Sequence, residues 1–128
     1  MTIRLDHTIV PARDKDASAR FFAEIFGLTV AAGGYFTQVR VDEHLTLDFS
    51  DDVDEGEEIA SHHYAFHVSD AEYEAILARV KARGLAYGSE PDAPANGRVN
   101  RRRGGRGFYF EDPAGHLLEV MTVPETGS

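Results

Sequence analysis

From Ile3 to Val10 the chain reads IRLDHTIV, with Ile3, Leu5, His7 and Ile9 alternating against Arg4, Asp6 and Thr8. That two-residue period predicts a strand with His7 in its middle. The period then lengthens. In DKDASARFFAEIFGL, Phe21, Phe22, Ile25 and Phe26 recur at helical spacing, Asp14 or Asp16 is placed to cap the first turn, and Gly27 to end the last. Short strands are expected near 28–32, 35–41 and 43–50, with Gly33-Gly34 as the turn between the first two.

The same order then recurs. HHYAFHVS predicts a strand, and SDAEYEAILARVKARGL a helix in which Ser69 and Glu72 have the spacing of a capping box. Tyr73, Ile76, Leu77 and Val80 form its apolar face, and Gly84 ends it. Strands are expected near 86–89, 106–111 and 116–122, the last two joined by a DPAG turn. The register repeats as well: His7 to Gly27 is 20 residues, His63 to Gly84 is 21, and a leucine follows each glycine. The pattern is α+β, two βαβββ modules at about 1–58 and about 59–124 within one domain of 128 residues. The second module carries an added loop, roughly 90–105, rich in Pro, Gly and Arg.

Alternation also sorts the side chains by face. His63, Ala65 and His67 share one face of HHYAFHV; His62, Tyr64, Phe66 and Val68 share the other, where the helix packs. In HLLEVM, Leu117, Glu119 and Met121 lie together, and in EHLTLDFS so do His44, Thr46, Asp48 and Ser50. Each module therefore offers a histidine on its first strand and a carboxylate on its last, His7 with Asp48 and His63 with Glu119. Imidazoles and carboxylates converging on one cavity suit a borderline divalent metal such as zinc, manganese, nickel, cobalt or iron(II).

Composition narrows the chemistry. There is no cysteine, which excludes disulfides, thiolate zinc sites and thiol nucleophiles. A net charge of −9 argues against general nucleic-acid binding. No apolar run approaches the roughly 20 residues that span a bilayer, so no membrane partner is expected. The start MTIRLDHTIV has no apolar leader, so a cytoplasmic location is expected. Against the acidic background, RVNRRRGGR at 98–106 holds five arginines and no acid. It reads either as a solvated loop or as an anchor for a carboxylate or phosphate.

With LDHTIV, HHYAFHV and GFYFEDPAGHLLEVMT in place, nearly the whole chain resembles the vicinal oxygen chelate superfamily. That group includes glyoxalase I, extradiol dioxygenases, fosfomycin thiol-transferases and bleomycin-binding proteins. The resemblance implies a barrel-like cleft and one divalent metal held by His7, His63 and Glu119, with Asp48 where glyoxalase I places a fourth ligand. Tyr109, ten residues before Glu119, matches an active-site tyrosine. Ile9 stands where the fosfomycin enzymes have threonine, RRRGGRG replaces their serine-rich cation loop, and the histidine base of the dioxygenases has no counterpart in 90–106. His67 is the candidate substitute for that base.

The resemblance implies a metal-dependent lyase of glyoxalase type acting on a small, oxygen-rich substrate. Glu119, or Asp48 across from it, would move the proton, and Arg101, Arg102 or Arg103 would hold an anionic group. An iron(II) ring-cleaving dioxygenase and a non-catalytic binding module are the alternatives. In relatives the two halves facing one metal often come from different chains, so a homodimer is expected, with His7 of one subunit facing His63 and Glu119 of the other.

Overall fold

The computed structural model describes residues 2–125. They form two compact units, one ending at Ile59 and the other beginning at Ala60.

The first unit runs β1 (His7–Pro11), α1 (Lys15–Phe26), β2 (Val30–Ala31), β3 (Thr37–Arg40) and β4 (Thr46–Ser50). Its sheet has the order β1-β4-β3-β2, and only the β1–β4 pair is parallel. Asp14 caps α1 by accepting from the Ala17 N–H, and Gly27 closes it in the left-handed conformation at φ 72°. Phe21, Phe22 and Ile25 are buried, with Phe22 6.0 Å from Phe49 of β4. Burying side chains of this size stabilises by about 1.5–3 kcal/mol each. Val39, Leu47 and Phe49 supply the sheet's share of the core. By alternation, Gln38, Arg40, Thr46 and Asp48 point to the opposite face.

The strand expected over 3–10 is shorter at its start. Ladder pairing begins at His7, so His7 opens β1 rather than sitting mid-strand. Ile3 and Leu5 are 96% and 65% exposed. Their alternation has no neighbouring strand to serve, since among the described residues the last backbone hydrogen bond toward the N-terminus is that from the Thr46 N–H to the Asp6 carbonyl, at 3.0 Å.

The second unit runs β5 (His63–His67), α2 (Asp70–Ala82), β6 (Gly107–Glu111) and β7 (Leu117–Met121), with sheet order β5-β7-β6. Both halves of the Ser69–Glu72 capping box are present. Tyr73, Ile76 and Val80 of α2 are buried, and Tyr73 meets Phe108 of β6 edge-on at 5.5 Å. In the DPAG turn, the Gly115 N–H reaches the Asp112 carbonyl at 3.0 Å.

The strand expected near 86–89 is reduced to a single bridge between Gly88 and Tyr109. The segment folds back on itself instead. Gly97 N–H bonds the Tyr87 carbonyl at 2.8 Å, and a Cβ at Gly88 would lie 1.9 Å from the Ala93 carbonyl oxygen. Asn100 of the added loop exchanges both backbone hydrogen bonds with Gly107, the place that a strand continuing from Gly88 would have reached. Among the described residues no helix is long and apolar enough to cross a membrane.

Candidate functional site

Alternation along β5 leaves His63, Ala65 and His67 exposed, while His62, Tyr64, Phe66 and Val68 are half-buried. The three histidines of HHYAFHV therefore divide between two environments. His62 faces inward, its Nδ1 2.7 Å from the Tyr64 hydroxyl and its ring 4.7 Å from that of His116. Burial lowers its pKa below the ordinary histidine value.

His63 Nε2 lies 3.0 Å from Glu119 Oε1. β5 and β7 run parallel with Ala65 opposite Glu119, so His63 reaches diagonally along one face. Glu119 is sunk, at 12% side-chain exposure, and His63 is open at 49%. On its other side Glu119 has Tyr109 of β6 as direct cross-strand partner. The Tyr109 ring is buried, 6.0 Å from that of His63. Burial raises its pKa above the ordinary tyrosine value, opposed by the hydrogen bond that Arg102 donates to its hydroxyl. The other end of the Arg102 guanidinium holds Glu90. His63, Glu119, Tyr109 and Arg102 line a cavity of about 400 Å³, to which Ala65 and Met121 add apolar surface and Arg103 and Glu125 opposite charges.

The first unit repeats the arrangement. Ile9 lies opposite Asp48 as Ala65 lies opposite Glu119, and His7 precedes Ile9 by the same two residues. Gln38 is the cross-strand partner of Asp48, as Tyr109 is of Glu119, and donates to Asp48 Oδ1 at 3.1 Å. Thr46 donates to the same oxygen at 3.2 Å, and Asp48 is buried. His7 Nδ1 sits 2.7 Å from Asp6 Oδ2, and this hydrogen bond raises the His7 pKa above its ordinary value. With Nδ1 so engaged, Nε2 is the nitrogen free for a ligand. His7, Gln38 and Asp48 line a cavity of about 600 Å³ together with Arg4, Arg40 and His44.

Other expected site residues are placed elsewhere. His67 shares the face of His63, but its Nε2 lies 3.2 Å from the Thr122 carbonyl and it does not line the cavity. Arg101 is exposed and also outside the cavity; Arg102 and Arg103 line it. Asp6, Gln38 and Glu90 were not singled out in the sequence. Gln38 was findable, because it precedes Asp48 by the same ten residues that separate Tyr109 from Glu119.

Residues 4–120 match the family model described as the Glyoxalase/Bleomycin resistance protein/Dioxygenase superfamily. The chain belongs to this superfamily. Among solved structures it is similar to Oxidase ChaP-H2, with 45% identity, a TM-score of 0.91, and coverage of 97% of this chain and 96% of that one. Oxidase ChaP-H1 gives 42% identity and a TM-score of 0.91 over 98% and 100% of the two chains. The glutathione transferase FosA of Serratia marcescens is 28% identical over 120 residues, 91% of this chain and 78% of that protein. Members of the superfamily are mostly enzymes and typically use a divalent metal.

The donors here have the chemistry such a metal requires. In His63–Glu119 an imidazole nitrogen and a carboxylate oxygen share a hydrogen bond, and a bound cation replaces the proton between such groups. The first unit places His7 and Asp48 at the same register positions, with His7 bonded to Asp6. Among the described residues no three His, Asp or Glu side chains come together closely enough to hold a metal ion.

Proposed function

We propose that the chain is a metal-dependent oxidase acting on a small, oxygen-rich, anionic molecule. The observation that supports this most is its likeness, at 45% and 42% identity over nearly its full length, to two proteins named as oxidases. His63 and Glu119 would hold the metal together with His7 of a second copy, and Asp48 is the candidate fourth donor. Zinc, nickel, manganese, cobalt and iron(II) all accept this donor set, and the oxidase reading favours iron or manganese. Such a metal, when bound, supplies Lewis acidity toward neighbouring substrate oxygens and a redox centre.

The chain's own residues do the rest. The Tyr109 hydroxyl, whose pKa burial raises further above the ordinary tyrosine value, carries the proton it can donate to a substrate oxygen. Arg102, braced by Glu90, fixes that hydroxyl in place. Ala65 and Met121 offer the substrate an apolar surface that excludes water.

A glyoxalase-type isomerisation is the second reading. It is favoured by the Glu119 carboxylate, which faces the cavity and can move a proton at a carbon alpha to a carbonyl. Two measurements separate them: metal content of the purified protein, and oxygen uptake with catechols and hydroxyquinones. Oxygen uptake abolished by a chelator supports the oxidase. An iron- or manganese-loaded protein that consumes no oxygen, yet isomerises a thiol adduct of a 2-oxoaldehyde, makes it a lyase.

A further inference from the structure

The arginine-rich segment does not act as one patch. Arg106 donates to Glu74 and Asp70 and lies 4.5 Å over the Tyr73 ring, tying the segment to α2. Arg102 is committed to Glu90 and Tyr109. Arg98 and Arg101 are exposed and line no part of the cavity.

Arg103 differs from all of these. It lines the His63–Glu119 cavity, yet its guanidinium has no hydrogen-bond or ion-pair partner among the described residues, Glu125 included. It is also the one non-glycine residue described with a positive φ, 55°, inside a 3-10 turn at Arg102–Gly104. An arginine has no local reason to adopt the left-handed region. The surrounding loop imposes it. Arg102 N–H bonds Asn100 Oδ1 at 3.3 Å, Gly105 N–H bonds the Arg102 carbonyl at 2.9 Å, and Gly105 packs so closely that a Cβ there would lie 2.6 Å from Thr122 Oγ1. Strain held by its surroundings at a cavity wall is the pattern of a residue kept for its side chain.

Apart from Arg103, the cavity has no uncommitted guanidinium or ammonium among its described lining residues. Glu119 and Glu125 are its other charged groups, apart from the committed Arg102. We infer that Arg103 is the residue that binds the oxyanion of the substrate, a carboxylate or phosphate carried on a body that lies against Tyr109 and Met121. The inference rests on this cavity being the substrate site proposed above. It assigns Arg102 a different task, that of positioning Tyr109.

The test is calorimetric titration of benzoate and of inorganic phosphate into the protein as purified, at low salt. At least one probe should bind saturably, and the tighter one identifies the oxyanion geometry. Arg103→Asn should weaken that binding by about tenfold or more, Arg103→Lys by less, and Arg101→Asn by no more than about twofold. Asparagine tolerates the left-handed region, so the melting temperature of Arg103→Asn should stay within about 2 °C of wild type. No saturable binding of either probe to wild type, or equal weakening by Arg101→Asn and Arg103→Asn, overturns the assignment. Binding is read here without turnover, so an error in the reaction type would show in oxygen uptake and leave this result standing.

Discussion

His63 and Glu119 meet at 3.0 Å across parallel strands, two residues out of step. The contact is set by backbone register, since Ala65 fills the place directly opposite Glu119 and leaves room for the diagonal approach. His7 and Asp48 occupy the same two lattice positions in the other unit. Metal binding should therefore be sensitive to the identity of these side chains and insensitive to their immediate neighbours.

His63→Ala and Glu119→Gln should each lower manganese or iron affinity by more than about 100-fold, beyond the effect of losing an outer partner. His62→Ala is the control. It removes an inward hydrogen bond to Tyr64, costing about 1 kcal/mol of stability, and should retain its metal. Elemental analysis after dialysis against a weak chelator checks both, and full metal retention by His63→Ala would sink the site.

The Asp6 hydrogen bond raises the His7 pKa, so Asp6→Asn should shift its titration midpoint down, as followed by NMR of the imidazole. The sign of the linkage follows. The contact stabilises the fold fully below the unfolded value of about 6.5 and is lost as pH rises through the folded value. For metal uptake the proton is a competitor. Occupancy in the wild type should fall as pH drops through the raised pKa, and Asp6→Asn should move that fall to lower pH.

Mixing His7→Ala with Glu119→Ala protein tests whether sites are shared between subunits. Under two-fold pairing each heterodimer holds one intact and one doubly damaged site, so about a quarter of wild-type activity should return at full exchange. Proven exchange with no recovery would rule out sharing.

Gly105→Ala should disturb the loop that carries Arg102 and Arg103. Its Cβ would lie 2.6 Å from both Thr122 Oγ1 and Val123 Cγ2, on a segment continuing from β7. Overpacking of this kind costs about 1–3 kcal/mol, measurable by urea unfolding, and KM should rise because the cavity wall moves. Gly104→Ala, with open space around its Cβ but φ at 77°, should show backbone strain without the clash.

Much of the fold was legible because local and tertiary demands agree. In α2, Ser69 and Glu72 cap the helix and Tyr73, Ile76 and Val80 face inward, each readable from spacing. The period-two pattern around His63 was likewise enough to separate His62 from the cavity. At Ile3 and Leu5 the same pattern failed, since alternation says which way side chains point only once a neighbouring strand exists to pair with. The arginines show a second limit. Arg102, Arg103 and Arg106 are equivalent in sequence, and their separate fates depend on Glu90, Glu74 and Asp70, which only the folded chain brings near.

The lack of any group of three such donors among the described residues carries a thermodynamic consequence. If the third donor comes from a second copy, metal uptake and subunit association become a single coupled equilibrium. Dilution would then release metal with no change in pH, and a chelator would dissociate subunits without touching their interface. Apparent metal affinity would rise with protein concentration, and the chain would report its own abundance through its cofactor content.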